Sequence, residues 1–128
     1  MEFRTAIRIN PAEKPIDFKS GVALFGSCFS ENIAKKIAYF QIPHFSNSHG
    51  ILFNPLAIEA AIADCTKKKS YTEEDLIRRD GIWLSLNHHS CFSGTNKAEL
   101  LNEINRFVEA GNAFLKQCSH VPITLGAA

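Results

Sequence analysis

The chain has no surplus charge of either sign and no long apolar run. Across its 128 residues, 14 Lys and Arg stand against 13 Asp and Glu, a net charge of +1 with the histidines neutral. Such a balance supplies no basic field for a phosphate backbone, and nucleic-acid binding is excluded. No apolar stretch approaches the roughly 20 residues that a membrane-spanning helix needs. The opening Met1-Glu2-Phe3-Arg4 lacks the apolar segment of a secretory leader, which points to a cytoplasmic protein. Cysteine is sparse, and Cys28, Cys65, Cys91 and Cys118 include no CxxC pair. Without a leader, that spacing reads as reduced thiols rather than a disulfide framework. No Walker loop or GxGxxG occurs, so no nucleotide cofactor is expected. A zinc site usually contains a close pair of ligands, and the one compact group is His88-His89-Ser90-Cys91. Adjacent histidines seldom share one ion, so no metal is expected either.

What is present is a core. Hydrophobic residues make up 45% of the chain, with ten Phe, which suits one domain and excludes a disordered tail. Residues 3–9 alternate as a short strand, and Pro11 and Pro15 then break regular structure. Residues 21–26 form a continuous apolar run between glycines, the pattern of a strand buried on both faces of a parallel sheet. Ser30 reads as the N-cap of a helix carrying Ile33, Ile37 and Phe40. Residues 41–49, polar and interrupted by Pro43, read as a loop. Asn54-Pro55 opens a second helix to about Cys65, with Asn as cap and Pro at the first helical position. Lys67-Lys68-Lys69 is a solvated turn. Thr72-Glu73-Glu74-Asp75 resembles a capping box and starts a short helix toward Arg79. A strand over 81–86 leads into the polar loop 87–90. Asn96 and Glu99 cap a long helix whose apolar face is Leu100, Ile104, Phe107 or Val108, and Leu115. Residues 121–125 are the last strand. The alternation predicts a single α/β domain over 1–128 with a mostly parallel sheet.

The stretch 21–40, buried strand, Gly26-Ser27-Cys28 and amphipathic helix, is where chemistry fits best. In open α/β sheets, ligands bind beyond the carboxyl ends of the strands. Ser27 falls at that edge, beside a helix N-terminus that favours negative charge. A serine there can attack a carbonyl while its own N–H holds the oxyanion; equally, it can be a turn residue after a strand. Cys28 is an alternative nucleophile, acidified by the helix end, although its slot in an apolar turn reads as a buried structural cysteine. Phe40, Phe45 and Phe53 suit either an acyl pocket or the core.

Gly26-Ser27-Cys28-Phe29, followed by Ser30-Glu31-Asn32-Ile33, resembles the signature of the GSCFA family, with Ser30 in place of the family's alanine. Further blocks resemble the family in order: Phe3-Arg4-Thr5, His49-Gly50-Ile51-Leu52-Phe53-Asn54-Pro55, His88-His89-Ser90 with Phe92-Ser93, and Ile123-Thr124-Leu125-Gly126. The family is similar to SGNH/GDSL hydrolases, flavodoxin-like α/β serine esterases and lipases that act on acyl, often carbohydrate-linked, esters. The resemblance implies Ser27 as nucleophile and the Gly50 N–H as oxyanion donor. It implies the Asn54 amide as a further donor, although capping ahead of Pro55 also explains Asn54. The third SGNH block, Gly-x-Asn, is matched by Gly126-Ala127-Ala128, with alanine at the asparagine. The late Asp-x-x-His block has no counterpart, so the domain is expected to be truncated at its C-terminus. His88 and His89, after a strand, are then the candidate bases. The expected function is ester hydrolysis of a small-molecule or glycan substrate. The alternative is a truncated or degenerate, inactive relative that serves as a binding module. An uncovered sheet edge further predicts a homodimer or a mobile C-terminal strand.

Overall fold

A computed structural model describes residues 3 and 5–126. The central strand β1 (Val22–Gly26) is buried along its whole length. Val22 and Leu24 pack on one face against Ala34 of α1 (Cys28–Tyr39). Ala23 and Phe25 point the other way, onto Ile58 and Cys65 of α2 (Pro55–Lys67). This is why the run is apolar at every position instead of at alternate ones. Val22, Leu24 and Phe25 each contribute about 1.5–3 kcal/mol through the water they shed. On one side of β1 lies β2 (His44–Ser46), and on the other β6 (Ile123–Thr124), both parallel to it, in the order β2-β1-β6.

Between α2 and β6 the chain makes a second, smaller unit. A single 3-10 turn at Glu73–Asp75 leads into β3 (Ile77–Arg79), β4 (Ile82–Leu84) and β5 (Ser93–Gly94), an antiparallel sheet. The long α3 (Lys97–Leu115) then covers it, burying Leu100, Ile104 and Val108 against Tyr71, Leu76 and Phe92. Helices α2 and α3 approach so closely that a Cβ on Gly111 would lie 2.6 Å from the Cys65 sulfur. Asn112 takes advantage of that approach, donating to the Cys65 and Thr66 carbonyls at the end of α2.

The α/β class and the mostly parallel main sheet agree with expectation, and several details do not. Residues 5–9 form no strand and lie exposed. The cap of α1 is Ser27, not Ser30, and Phe40 lies exposed beyond the helix. The supposed loop 41–49 contains β2, held by pairing with β1 rather than by its own residues. The capping box at Thr72 is present, but its helix stops after the 3-10 turn and Ile77–Arg79 pairs as a strand. The strand before His88 belongs to the antiparallel sheet, so those histidines do not follow a strand of the parallel one. Cys28 is exposed rather than buried, and all four thiols are free. Ala127 and Ala128, the end of the Gly-x-Asn match, lie outside the described residues. Among those described, no helix is long and apolar enough to cross a membrane.

Candidate functional site

Ser27 follows β1 directly and caps α1, its hydroxyl accepting the Phe29 N–H at 3.3 Å. The turn depends on Gly26, whose φ of +129° is closed to other residues and whose added Cβ would sit 1.9 Å from the Thr124 carbonyl oxygen. Asn47, just past β2, fixes this turn by accepting the Gly26 N–H on Oδ1 at 2.9 Å and donating from Nδ2 to Glu31 at 3.0 Å. Thr124 of β6 closes the other side. Its hydroxyl shares hydrogen bonds with Ser27 Oγ at 3.0 Å and Ser30 Oγ at 2.7 Å. The Ser27 N–H points at Thr124 as well, 3.1 Å from Oγ1 and 3.0 Å from the carbonyl oxygen. Ser27 is consequently only 7% exposed, with both its hydroxyl and its N–H engaged.

The other candidates are spread over two places. Gly50 donates its N–H to the Asn47 carbonyl in a tight turn, and its φ is +79°. Asn54 accepts the Leu56 N–H at 2.8 Å as the exposed cap of α2. Gly50 and His89 share a cleft of about 390 Å³ with Glu31, Asn47, Cys91 and Glu103, and Ser27 is not among its lining residues. Two carboxylates, Glu31 and Glu103, and no lysine or arginine line this cleft. Burial pushes the Cys91 thiol up, and Glu103 and Glu31 add to the effect. His89 accepts the Cys91 N–H on Nδ1 at 3.2 Å. Among the described residues, no histidine or carboxylate is bonded to the Ser27 hydroxyl. Phe45 belongs to the core beside Phe25 and Phe114, while Phe40 and Phe53 are exposed.

The model of the GSCFA family matches residues 21–128, beginning with the strand that delivers Ser27. The chain belongs to the GSCFA family. No curated protein and no solved structure matches it. In this GSCFA chain the signature occupies the carboxyl end of β1 and the first turn of α1. Ser30, where the family has alanine, is buried and donates to the Phe25 carbonyl at 3.1 Å. Its hydroxyl thereby joins Thr124 and Ser27 in one chain of hydroxyls.

Sequence reasoning named His88 but missed its setting in this GSCFA domain, a buried polar cluster shared with His49. Their rings stack at 4.1 Å between centroids, with planes 6° apart. His49 is 1% exposed, and Ser48 Oγ lies 2.8 Å from its Nδ1. Its Nε2 lies 3.2 Å from Asp64 Oδ2, which also accepts the Tyr71 hydroxyl proton at 2.6 Å. Because Asp64 offers an acceptor, the His49 proton belongs on Nε2, and Ser48 donates to Nδ1. Burial outweighs the pull of Asp64 and holds the His49 pKa below its usual value. The Tyr71 phenol is pushed up, first by burial and then by Asp64. His88, 8% exposed, meets Ser85 Oγ through Nδ1 at 2.8 Å, while its buried Nε2 has no partner among the described residues. Burial, reinforced by neighbouring His49, lowers the His88 pKa to about 3. Ser48 and His49 are buried too deeply to meet a substrate, while Asp64, at the end of this relay, is partly exposed. The His49 carbonyl accepts the His89 N–H at 2.8 Å, which ties this cluster to the wall of the cleft. In the sequence His49 stood out only as a member of a family block, and His88 as a candidate base beside His89. Nothing local signalled Asp64 or Tyr71 as their partners.

Proposed function

We propose that this chain carries the nucleophile of an SGNH-like serine ester hydrolase acting on a small-molecule or glycan acyl ester, and that the nucleophile is Ser27. The observation that carries the reading is the place of Ser27, at the carboxyl end of the central parallel strand and the N-terminus of the helix behind it. The parallel order β2-β1-β6 corresponds to the first three strands of the flavodoxin-like arrangement, which supports that fold. In that arrangement ligands enter between the first and third parallel strands. Here those are β1, which leads directly into Ser27, and β6, which bears Thr124.

In the reaction, Ser27 Oγ bonds to the ester carbonyl carbon and its proton passes to a base. The alcohol departs with a proton, and water then hydrolyses the acyl-enzyme. The helix N-terminus favours the developing oxyanion. For the Ser27 N–H to serve as donor, its bonds to Thr124 must open; for the Gly50 N–H, the turn with Asn47 must open. Of the two candidate bases, His89 lines the cleft and His88 is buried against Ser85, and neither is bonded to Ser27. An unassisted hydroxyl stays protonated near neutral pH, so turnover by this chain is slow. The same engaged hydroxyl favours a second reading, an inactive relative that keeps the crevice for binding. Release of p-nitrophenol from a short-chain p-nitrophenyl ester separates the two. The hydrolase reading expects release above background that Ser27→Ala abolishes. Equal release by both proteins would leave the binding reading standing.

A further inference from the structure

The hydroxyls of Ser27, Thr124 and Ser30 are linked in a chain whose direction follows from its far end. Ser30 is fully buried, and its Oγ lies 3.1 Å from the Phe25 carbonyl oxygen. A carbonyl only accepts, so the Ser30 proton points there. With its one proton spent, Ser30 accepts from Thr124 Oγ1 at 2.7 Å. The Thr124 proton is thereby committed to Ser30, and Thr124 Oγ1 accepts the Ser27 hydroxyl proton at 3.0 Å. It also receives the Ser27 N–H at 3.1 Å, which fills both of its lone pairs. Every proton in the chain therefore points the same way, from Ser27 through Thr124 and Ser30 to Phe25.

Such a chain holds a proton but cannot carry it away. It passes only through hydroxyls and ends on a backbone carbonyl, which takes up no proton near neutral pH. A serine nucleophile needs its proton aimed at a base. The Ser27 proton aims at Thr124 instead, and that bond must break before a base can accept it. Ser30 tightens the hold, because a hydroxyl that is itself donating becomes a better acceptor. With alanine at position 30, as in the family signature, the Thr124 proton would lose the acceptor at 2.7 Å. Thr124 would then be free to rotate, and its grip on the Ser27 proton would loosen. We propose that Ser30 is a positioning residue for Ser27: acting through Thr124, it turns the Ser27 proton inward and slows the serine as a nucleophile. The role presupposes Ser27 as the nucleophile.

The rate at which a fluorophosphonate labels Ser27 in the full chain tests this, with circular dichroism as the check on folding. In that reaction Ser27 Oγ bonds to phosphorus, fluoride leaves, and the serine proton passes to a base or to water. Ser30→Ala puts a smaller, better helix former within α1, so it should fold. It should label about 2–10-fold faster than wild type, the factor that one neutral hydrogen bond corresponds to. Thr124→Val should also label faster, and adding Ser30→Ala to it should change nothing more, because Ser30 acts through Thr124. A merely structural role for Ser30 would not produce that non-additivity. Equal or slower labelling of folded Ser30→Ala overturns the proposal, and so does a further rise when it joins Thr124→Val. Either result with Ser27 still labelled leaves the nucleophile in place. No Ser27 adduct in any of the four folded proteins would overturn the nucleophile reading, and the role of Ser30 with it.

Discussion

Lowering the pH should destabilise this protein through buried His88. His88 has a pKa of about 3 in the fold against 6.5 for a free imidazole, because a charged ring would be buried against His49. The unfolded chain therefore binds the proton more readily than the folded one. The stability due to this group is fully present above pH 6.5 and is lost progressively as pH falls toward 3. From pH 7 to pH 4 the proton is resisted over about 2.5 units, at about 1.4 kcal/mol each, so the loss is about 3 kcal/mol. His49, whose pKa is also held down by burial, adds in the same direction. Against a typical total of about 5–15 kcal/mol, this is a large share. Asp64, Tyr71 and Lys69 also face the pair, and they remain in the control His88→Asn, which keeps a polar atom for Ser85 but cannot titrate. Urea unfolding at several pH values gives two profiles, and any constant cost of the substitution cancels in their slopes. The wild type should fall about 3 kcal/mol further between pH 7 and pH 4 than the variant. Parallel profiles would refute the reasoning, since some other group would then carry the acid sensitivity.

Three further substitutions test the Ser27 turn and the role of Asn54. Gly26→Ala meets both a forbidden φ and the Thr124 carbonyl, and should cost about 2–6 kcal/mol in chemical denaturation; a wild-type midpoint would contradict the turn geometry. Asn54→Ala removes an exposed helix cap and should cost about 1 kcal/mol while leaving Ser27-dependent ester release unchanged. A drop of tenfold or more in that release would instead make its amide an oxyanion donor. Thr124→Val keeps the shape and removes the hydroxyl that restrains Ser27 Oγ, so Ser27-dependent release should rise. A fall would show that the Thr124 hydroxyl assists the serine.

Local signals carried much of this structure. The apolar run of β1 and the asparagine caps at Asn54 and Asn96 were legible because their causes lie within a few residues. β2 was not, since His44, Phe45 and Ser46 have no strand pattern of their own and are extended by pairing with β1. β3 was masked by a real capping signal at Thr72, which formed its box and then yielded to pairing with β4. The site divides the same way. Ser27 and Gly26 were visible as a strand-to-helix turn, whereas the grip of Thr124 on Ser27 comes from 97 residues away. Likewise, the ring of His88 is stacked on His49 by the packing of the smaller unit, and no spacing rule announces such a contact.

The most direct test of the account is where a fluorophosphonate probe attaches. Incubation of the full chain, followed by intact-mass measurement and peptide mapping, should find one adduct, on the peptide bearing Ser27. Ser27→Ala should remove it. An unlabelled wild type, or an adduct that persists in Ser27→Ala, would contradict the assignment of Ser27 as the nucleophile.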